Sequence, residues 1–175
     1  AAVAVAGTYS GAETGPHRPT GRNLDIALER EAYLALQASS GVRYTRAGSL
    51  QVSPAGDLTD GSSRPVLNSQ GKPIRGLGPG ASISPDGRVM DGGAERARLR
   101  VVRDPEGVLQ REGYGLATAR GRDAALEIDP DPTVRPGWIE GSGTDAIGEM
   151  VRMIEAQRAF ETYQKLISLT MNDVN

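Results

Sequence analysis

Any imidazole chemistry in this chain must fall to His17, because the 175 residues contain one histidine and no cysteine. A Ser-His-Asp arrangement needs its histidine held between a nucleophile and a carboxylate, and a zinc site needs several nitrogen or sulfur ligands. His17 stands in a Gly- and Pro-rich stretch and is expected to be a solvent-exposed loop histidine. Asp57, Asp60, Asp86 and Asp91 fall at turn positions, where a short carboxylate bonds its own backbone, and need no catalytic explanation. Asp129-Pro130-Asp131 lacks the run of alternate oxygen ligands and the turn glycine of a calcium loop. Gly76-Leu77-Gly78-Pro79-Gly80 lacks the lysine and following helix of a phosphate loop. A paired-carboxylate hydrolase depends on a separation that only the fold sets, and nothing in the spacing points to one. No catalytic, cofactor-binding or metal-ligating residue is assigned; neither an enzyme, nor a cofactor, nor a small-molecule ligand is expected.

The elements that would have to position such residues are short. Twenty-three glycines and eleven prolines are scattered without a period, as where many brief strands are joined by turns. The hydrophobic fraction is 38%, with Trp138 the single tryptophan and Phe160 the single phenylalanine, so the core must rest on Val, Leu, Ile and Ala. A net charge of −2 with interspersed signs offers no basic footprint for nucleic acid or an anionic membrane. No apolar run approaches the roughly 20 residues that span a bilayer, so no membrane insertion is expected. The absence of cysteine leaves the redox compartment open. Residues 1–6 are small and apolar without the basic start of a secretory signal, and read as a connector or first strand inside a longer protein.

Along the body, residues 24–28 and 33–36 alternate as strands with one buried face, and 42–46 opens a third. Pro54-Ala55-Gly56-Asp57 predicts a hairpin between Val52 and Leu58, and Pro85-Asp86-Gly87 another between residues 81–83 and 89–90. Residues 64–67 follow, then a turn at 70–73, a short strand at Ile74 and a flexible loop at 76–80. Residues 96–103 read as one half-buried strand with Arg96, Arg98 and Arg100 facing water. Leu109, Tyr114, Leu116 and Ala119 are expected to make short apolar contacts, and residues 120–136 to be loop-rich.

Residues 145–174 read as one helix, capped by Thr144 or Asp145. Ile147, Met150, Val151 and Ile154 form one apolar stripe; Met153, Ala156, Phe160, Tyr163, Ile167, Thr170 and Val174 form a second that drifts around the cylinder. Together they exceed the single face that a surface helix buries. At 1.5 Å per residue the helix would be about 45 Å long. It either docks on its own core or offers its surplus apolar surface to a partner. The expected class is mainly β: an irregular many-stranded body with a long C-terminal α-helix. Residues 1–23 form a connector and loop, 24–136 the β-rich domain, and 137–175 a linker and assembly helix.

Four ordered stretches carry a resemblance. Leu24-Asp25-Ile26-Ala27-Leu28 with Tyr33-Leu34-Ala35-Leu36, then Tyr44-Thr45-Arg46-Ala47-Gly48-Ser49-Leu50, then Asp57-Leu58 to Pro65-Val66, and finally Gly137-Trp138-Ile139-Glu140-Gly141 with residues 149–161 resemble the bacterial flagellar rod and hook family. The short middle region and Thr20-Gly21-Arg22-Asn23-Leu24-Asp25 are most similar to its proximal rod members, with the distal rod next and hook protein, which has larger inserted domains, further off. Arg30 and Ala32 stand where the family tends to have glycine, and Gly143-Thr144 replaces an Asn-Val pair. The family's N-terminal helix has no counterpart in these residues.

The resemblance implies a structural subunit of the flagellar basal body, stacking with other copies and neighbouring rod proteins across the periplasm and transmitting torque. It also implies export by the flagellar type III route without a cleaved signal peptide. On that reading Met150, Val151, Ile154, Gln157, Phe160, Tyr163 and Ile167 pack against neighbouring subunits, while Arg158 and Glu161 set register through charge pairs. A carbohydrate-binding β-module is the alternative from another class, and would need an exposed aromatic platform.

Overall fold

The computed structural model describes residues 15–29 and 31–141 and, beyond them, Met153, Ile154, Gln157, Arg158, Phe160, Glu161 and Gln164. The chain divides into two units, Ala1–Gly141 and Ser142–Asn175. The first is mainly β. Its strands are β1 (His17–Pro19), β2 (Ile26–Leu28), β3 (Ala32–Ala38), β4 (Gly41–Thr45), β5 (Leu50–Val52), β6 (Leu58–Asp60), β7 (Ser82–Ile83), β8 (Arg88–Asp91), β9 (Ala94–Arg98), β10 (Val101–Arg103), β11 (Gln110–Gly113), β12 (Leu116–Thr118), β13 (Glu127–Ile128), β14 (Val134–Pro136) and β15 (Trp138–Glu140), with a 3-10 turn at Asp123–Ala125.

The largest sheet has six antiparallel strands in the order β11-β12-β4-β3-β10-β13. The two hairpins marked by turn chemistry form as expected: β5 pairs with β6 around Gly56 at φ 83°, and β7 with β8 around Gly87 at φ 75°. Asp60 closes the next turn, its Oδ1 accepting from the backbone N–H groups of Ser62 and Arg64 while Arg64 Nη2 lies 2.6 Å from Oδ2. The turn role read from the sequence for this aspartate is therefore met.

The expectation of strands with one wet face fails at the centre. Along β3, Ala32, Leu34 and Leu36 enter one apolar cluster with Ile26, Leu50, Leu58 and Val101, while Ala35, with Tyr33 partly buried, enters a second with Tyr44, Leu67 and Val102. The six-stranded sheet thus has apolar packing on both faces, so its period-two alternation sorts side chains between two cores. Each large aliphatic side chain so buried contributes about 1.5–3 kcal/mol. Strand β2 is likewise buried at every position.

Residues 96–103 are not one strand. The stretch breaks at Leu99-Arg100: β9 belongs to the three-stranded sheet β7-β8-β9, and β10 to the six-stranded one. Val102 is consequently 1% exposed. Ile74 lies outside any strand, yet its N–H donates to Val66 O and its carbonyl accepts from Leu58 N–H. The glycine-rich loop at 76–80 is pinned by buried Leu77, whose N–H donates to Gly56 O, and by Gly78 N–H donating to Asp91 Oδ2. Asp91 therefore bonds a distant loop rather than its own turn. Tyr114, read as an apolar contact, is 98% exposed.

Two further corrections concern the ends of the body. His17 lies in β1, not in a loop, and its Nε2 is shut away from solvent without a hydrogen-bond partner. Residues 138–140, read as a linker leading to the helix cap, form β15 and pair with β1, matching His17 with Glu140, Arg18 with Ile139 and Pro19 with Trp138. A composition-based reading cannot see this pairing, because its partners lie at opposite ends of the body.

Candidate assembly surface

The motif residues of the body meet at the seam where the chain leaves it. Gly137, at φ 77°, turns the backbone so that its carbonyl accepts from both Thr20 N–H and Gly21 N–H while its own N–H donates to Asp25 O. Asp25 is 2% exposed; its Oδ1 accepts from Ser49 Oγ and lies 3.6 Å from Arg22 Nη1. Behind it, Ile26 N–H donates to Gly48 O at 2.9 Å, and the backbones approach so closely that a Cβ on Gly48 would sit 1.8 Å from Ile26 O. The Leu-Asp-Ile and Thr-Arg-Ala-Gly stretches are thus paired for backbone reasons.

Arg46 ties the seam to the exit strand. Its Nη2 lies 2.7 Å from Glu140 Oε2, its Nε donates to the same oxygen at 2.8 Å, and its Nη1 donates to Ala32 O at 3.0 Å. The guanidinium also stands 5.7 Å from the Tyr33 ring centroid, within cation–π range. Burial pushes the Tyr33 phenol up from its ordinary value, and the Arg46 charge works against that. Glu140 Oε1 accepts from Gly15 N–H, and Gly141 N–H donates to Pro16 O at 2.9 Å. The strands entering and leaving the body are therefore fastened side by side.

In the second unit, Ile154, Gln157, Arg158, Phe160 and Glu161 of the expected contact set are helical and exposed, as are Met153 and Gln164. Met153 is 70% exposed, Ile154 53% and Phe160 64%. Met150, Val151, Tyr163 and Ile167 lie outside the described residues, as does most of the expected long helix. Among the described residues no three or more His, Asp or Glu side chains are grouped to hold a metal ion. No helix among them is long and apolar enough to cross a membrane.

Met153, Ile154 and Phe160 are thus exposed apolar residues at helical positions, in a segment that known proteins share. The family described as "Flagellar basal body rod FlgEFG protein C-terminal" matches residues 135–170, which begin in β14 and include β15 and the exposed helical residues. The chain is similar to flagellar basal-body rod protein FlgF of Escherichia coli, 34% identical over 163 residues that cover 85% of this chain and 64% of that protein. Over the span it covers, the chain is similar to flagellar basal-body rod proteins.

FlgF of Caulobacter vibrioides is 31% identical over 160 residues, covering 89% of this chain and 64% of the relative. Flagellar basal-body rod protein FlgG of Bacillus subtilis is 29% identical over 174 residues, again 89% and 64%. The chain thus spans somewhat under two thirds of the length of these rod proteins. Among the motifs that carry the resemblance, the sequence marked Tyr44 to Leu50 as a unit without indicating that Arg46 reaches Glu140. Arg46 and Glu140 both stand within resemblance motifs, and a charged residue in each was the available signal.

Proposed function

We propose that the chain is the larger part of a structural subunit of the bacterial flagellar basal-body rod, like the proximal FlgF type, with FlgG as the alternative. The observation that carries this reading is the exposure of Met153, Ile154 and Phe160 within the segment matched by the rod family. Three large apolar side chains in water are costly for a monomer, and each contributes about 1.5–3 kcal/mol when a neighbour covers it. Repetition through a heterologous helical lattice multiplies that gain and orders a long C-terminal helix across residues 145–174. Met150, Val151, Tyr163 and Ile167 extend the same surface, with Gln157, Arg158 and Glu161 fixing register.

On this reading the partners are further copies and neighbouring rod proteins, the location is the rod that crosses the periplasm, and the role is mechanical transmission from motor to hook. The fastened pair β1 and β15 suits such a role, since it holds the body to both flanking segments at one place. The test is to purify hook–basal bodies from cells that carry the full-length protein and probe them for it. Co-purification in near-constant ratio to the other rod proteins is expected. Absence from rods that are otherwise complete overturns the reading.

A further inference from the structure

The turn between β11 and β12 contains two residues, Tyr114 and Gly115, both at positive φ, 51° and 71°. Such a turn takes Asn or Gly at its first position with less strain than an aromatic. The turn itself gives no reason for a tyrosine, and the ring is 98% exposed. At the other side of the same six-stranded sheet, beside β10 and β13, lies a cleft of matching character. Buried Ala32, Val101 and Pro132 supply apolar lining, and Glu29, Asp129, Thr133 and Arg103 a polar margin, in which Asp129 pairs with Arg103 at 2.7 Å and Glu29 with Arg135 at 3.0 Å. An apolar patch beside a guanidinium and oxygen acceptors suits a phenol, whose ring face attracts a cation and whose O–H donates.

The ring cannot fill its own chain's cleft. Leu116 is linked through Thr45 and Leu34 to Val101 by three strand spacings, roughly 14 Å at the usual separation, and Tyr114 points into solvent beyond the near side. Charge is complementary as well. Exposed Arg111 stands on the hairpin, and exposed Glu127 and Asp131 stand beside the cleft, none of them in an ion pair among the described residues.

We propose that Tyr114 of one copy seats in the Ala32–Val101–Pro132 cleft of the next copy, with Arg111 facing Glu127 and Asp131. Projection and cleft are different surfaces on opposite sides of one sheet, so the contact is heterologous and propagates from copy to copy. The inference rests on the rod reading and names a lateral contact made by the β body, apart from the helical segment.

The test replaces Tyr114 by the photoreactive aromatic p-benzoylphenylalanine in the full-length protein, in cells whose hook–basal bodies are then purified and irradiated. Adducts are expected on residues 29–32 or 127–133 of another copy, giving bands of two, three and more copies. Thr133→Trp, which fills the cleft, should lower adduct yield at least about fivefold, the loss expected when one anchor is displaced. Ser62→Trp, on a separate exposed turn, should leave it unchanged. Adducts to a different protein, adducts to other parts of the chain, bands that stop at two copies, or no adduct overturn the proposal. If the protein is present in the basal bodies and these adducts are missing, this contact alone fails; absence from the basal bodies overturns the rod reading and this contact together.

Discussion

Arg46 Nη2 lies 2.7 Å from Glu140 Oε2 across 94 residues of sequence, and side-chain exposures of 16% and 10% place the pair largely out of water. Removing one partner of such a pair leaves the other charged, poorly solvated and short of its counter-charge, a larger effect than the attraction itself supplies. Glu140→Gln is expected to destabilise the body by about 2–3 kcal/mol, below the 3–5 of a fully buried pair because some solvent reaches it. Arg46→Met with Glu140→Leu should lose less than the two single changes summed. Urea denaturation of all four proteins measures the coupling directly.

Gly48 is a second point where the seam admits no change. A Cβ there would meet Ile26 O at 1.8 Å, and a backbone carbonyl paired into the fold cannot withdraw. Gly48→Ala is expected to cost more than about 4 kcal/mol, the range reserved for severe backbone conflict. Gly61→Ala, where nothing lies within 4 Å, should stay within about 0.5 kcal/mol. Equal melting temperatures for the two variants would contradict the close approach of β2 to Gly48.

Tyr44 is expected to make the body sensitive to alkali. Burial, and then the hydrogen bond its O–H donates to Asp123 Oδ1 at 2.7 Å, raise its pKa well above the ordinary 10.0. A group whose pKa is raised on folding contributes stability in full below its unfolded value, and that contribution is lost as pH climbs above 10. Spectrophotometric titration should show a tyrosine that ionises only with unfolding. Tyr44→Phe should abolish that late step and cost about 1.5–3 kcal/mol at neutral pH, as for a hydrogen bond to a charged acceptor.

Asp86 titrates in the opposite sense. The hydrogen bond from Ser84 Oγ, aided by the neighbouring Arg88, holds its carboxyl below the ordinary value of 3.8. Its contribution is present above the unfolded pKa and is lost as pH falls through the lowered folded one. NMR titration should place Asp86 below the ordinary 3.8, and Ser84→Ala should raise it back toward that value.

The exposed helical residues should separate assembly from folding. Phe160→Ser combined with Ile154→Ser removes apolar surface that water already reaches, so the melting temperature of the β body should not move. Incorporation into basal bodies should fall at least about tenfold, the equivalent of about 1.4 kcal/mol for the pair. A double variant that assembles like the wild type would remove the observation on which the rod reading depends.

What the sequence made legible follows the range of the interaction. Gly56 and Gly87 revealed their hairpins because a positive φ is a local demand that a few residues announce. The pairing of His17 with Glu140 was invisible, since a match between residues at opposite ends of the body leaves no local pattern. Alternation in β3 was read correctly as a strand and wrongly as half wet, because two cores take the same period as one core and solvent. At the candidate surface, Ile154 and Phe160 were legible as excess apolar residues on a helix, whereas Tyr114 was read as a contact because only its backbone conformation turns it outward.

Because β1 and β15 lie together, the whole body hangs from two adjacent strands, with Gly15 and Gly141 each held within hydrogen-bond reach of the opposite strand. A domain attached in this way is exchangeable in principle: its size, loops and outer surface can change without altering the separation of the two backbone ends it presents. A different β domain with similarly adjacent ends could be grafted between them, and the flanking segments would meet the same spacing as before.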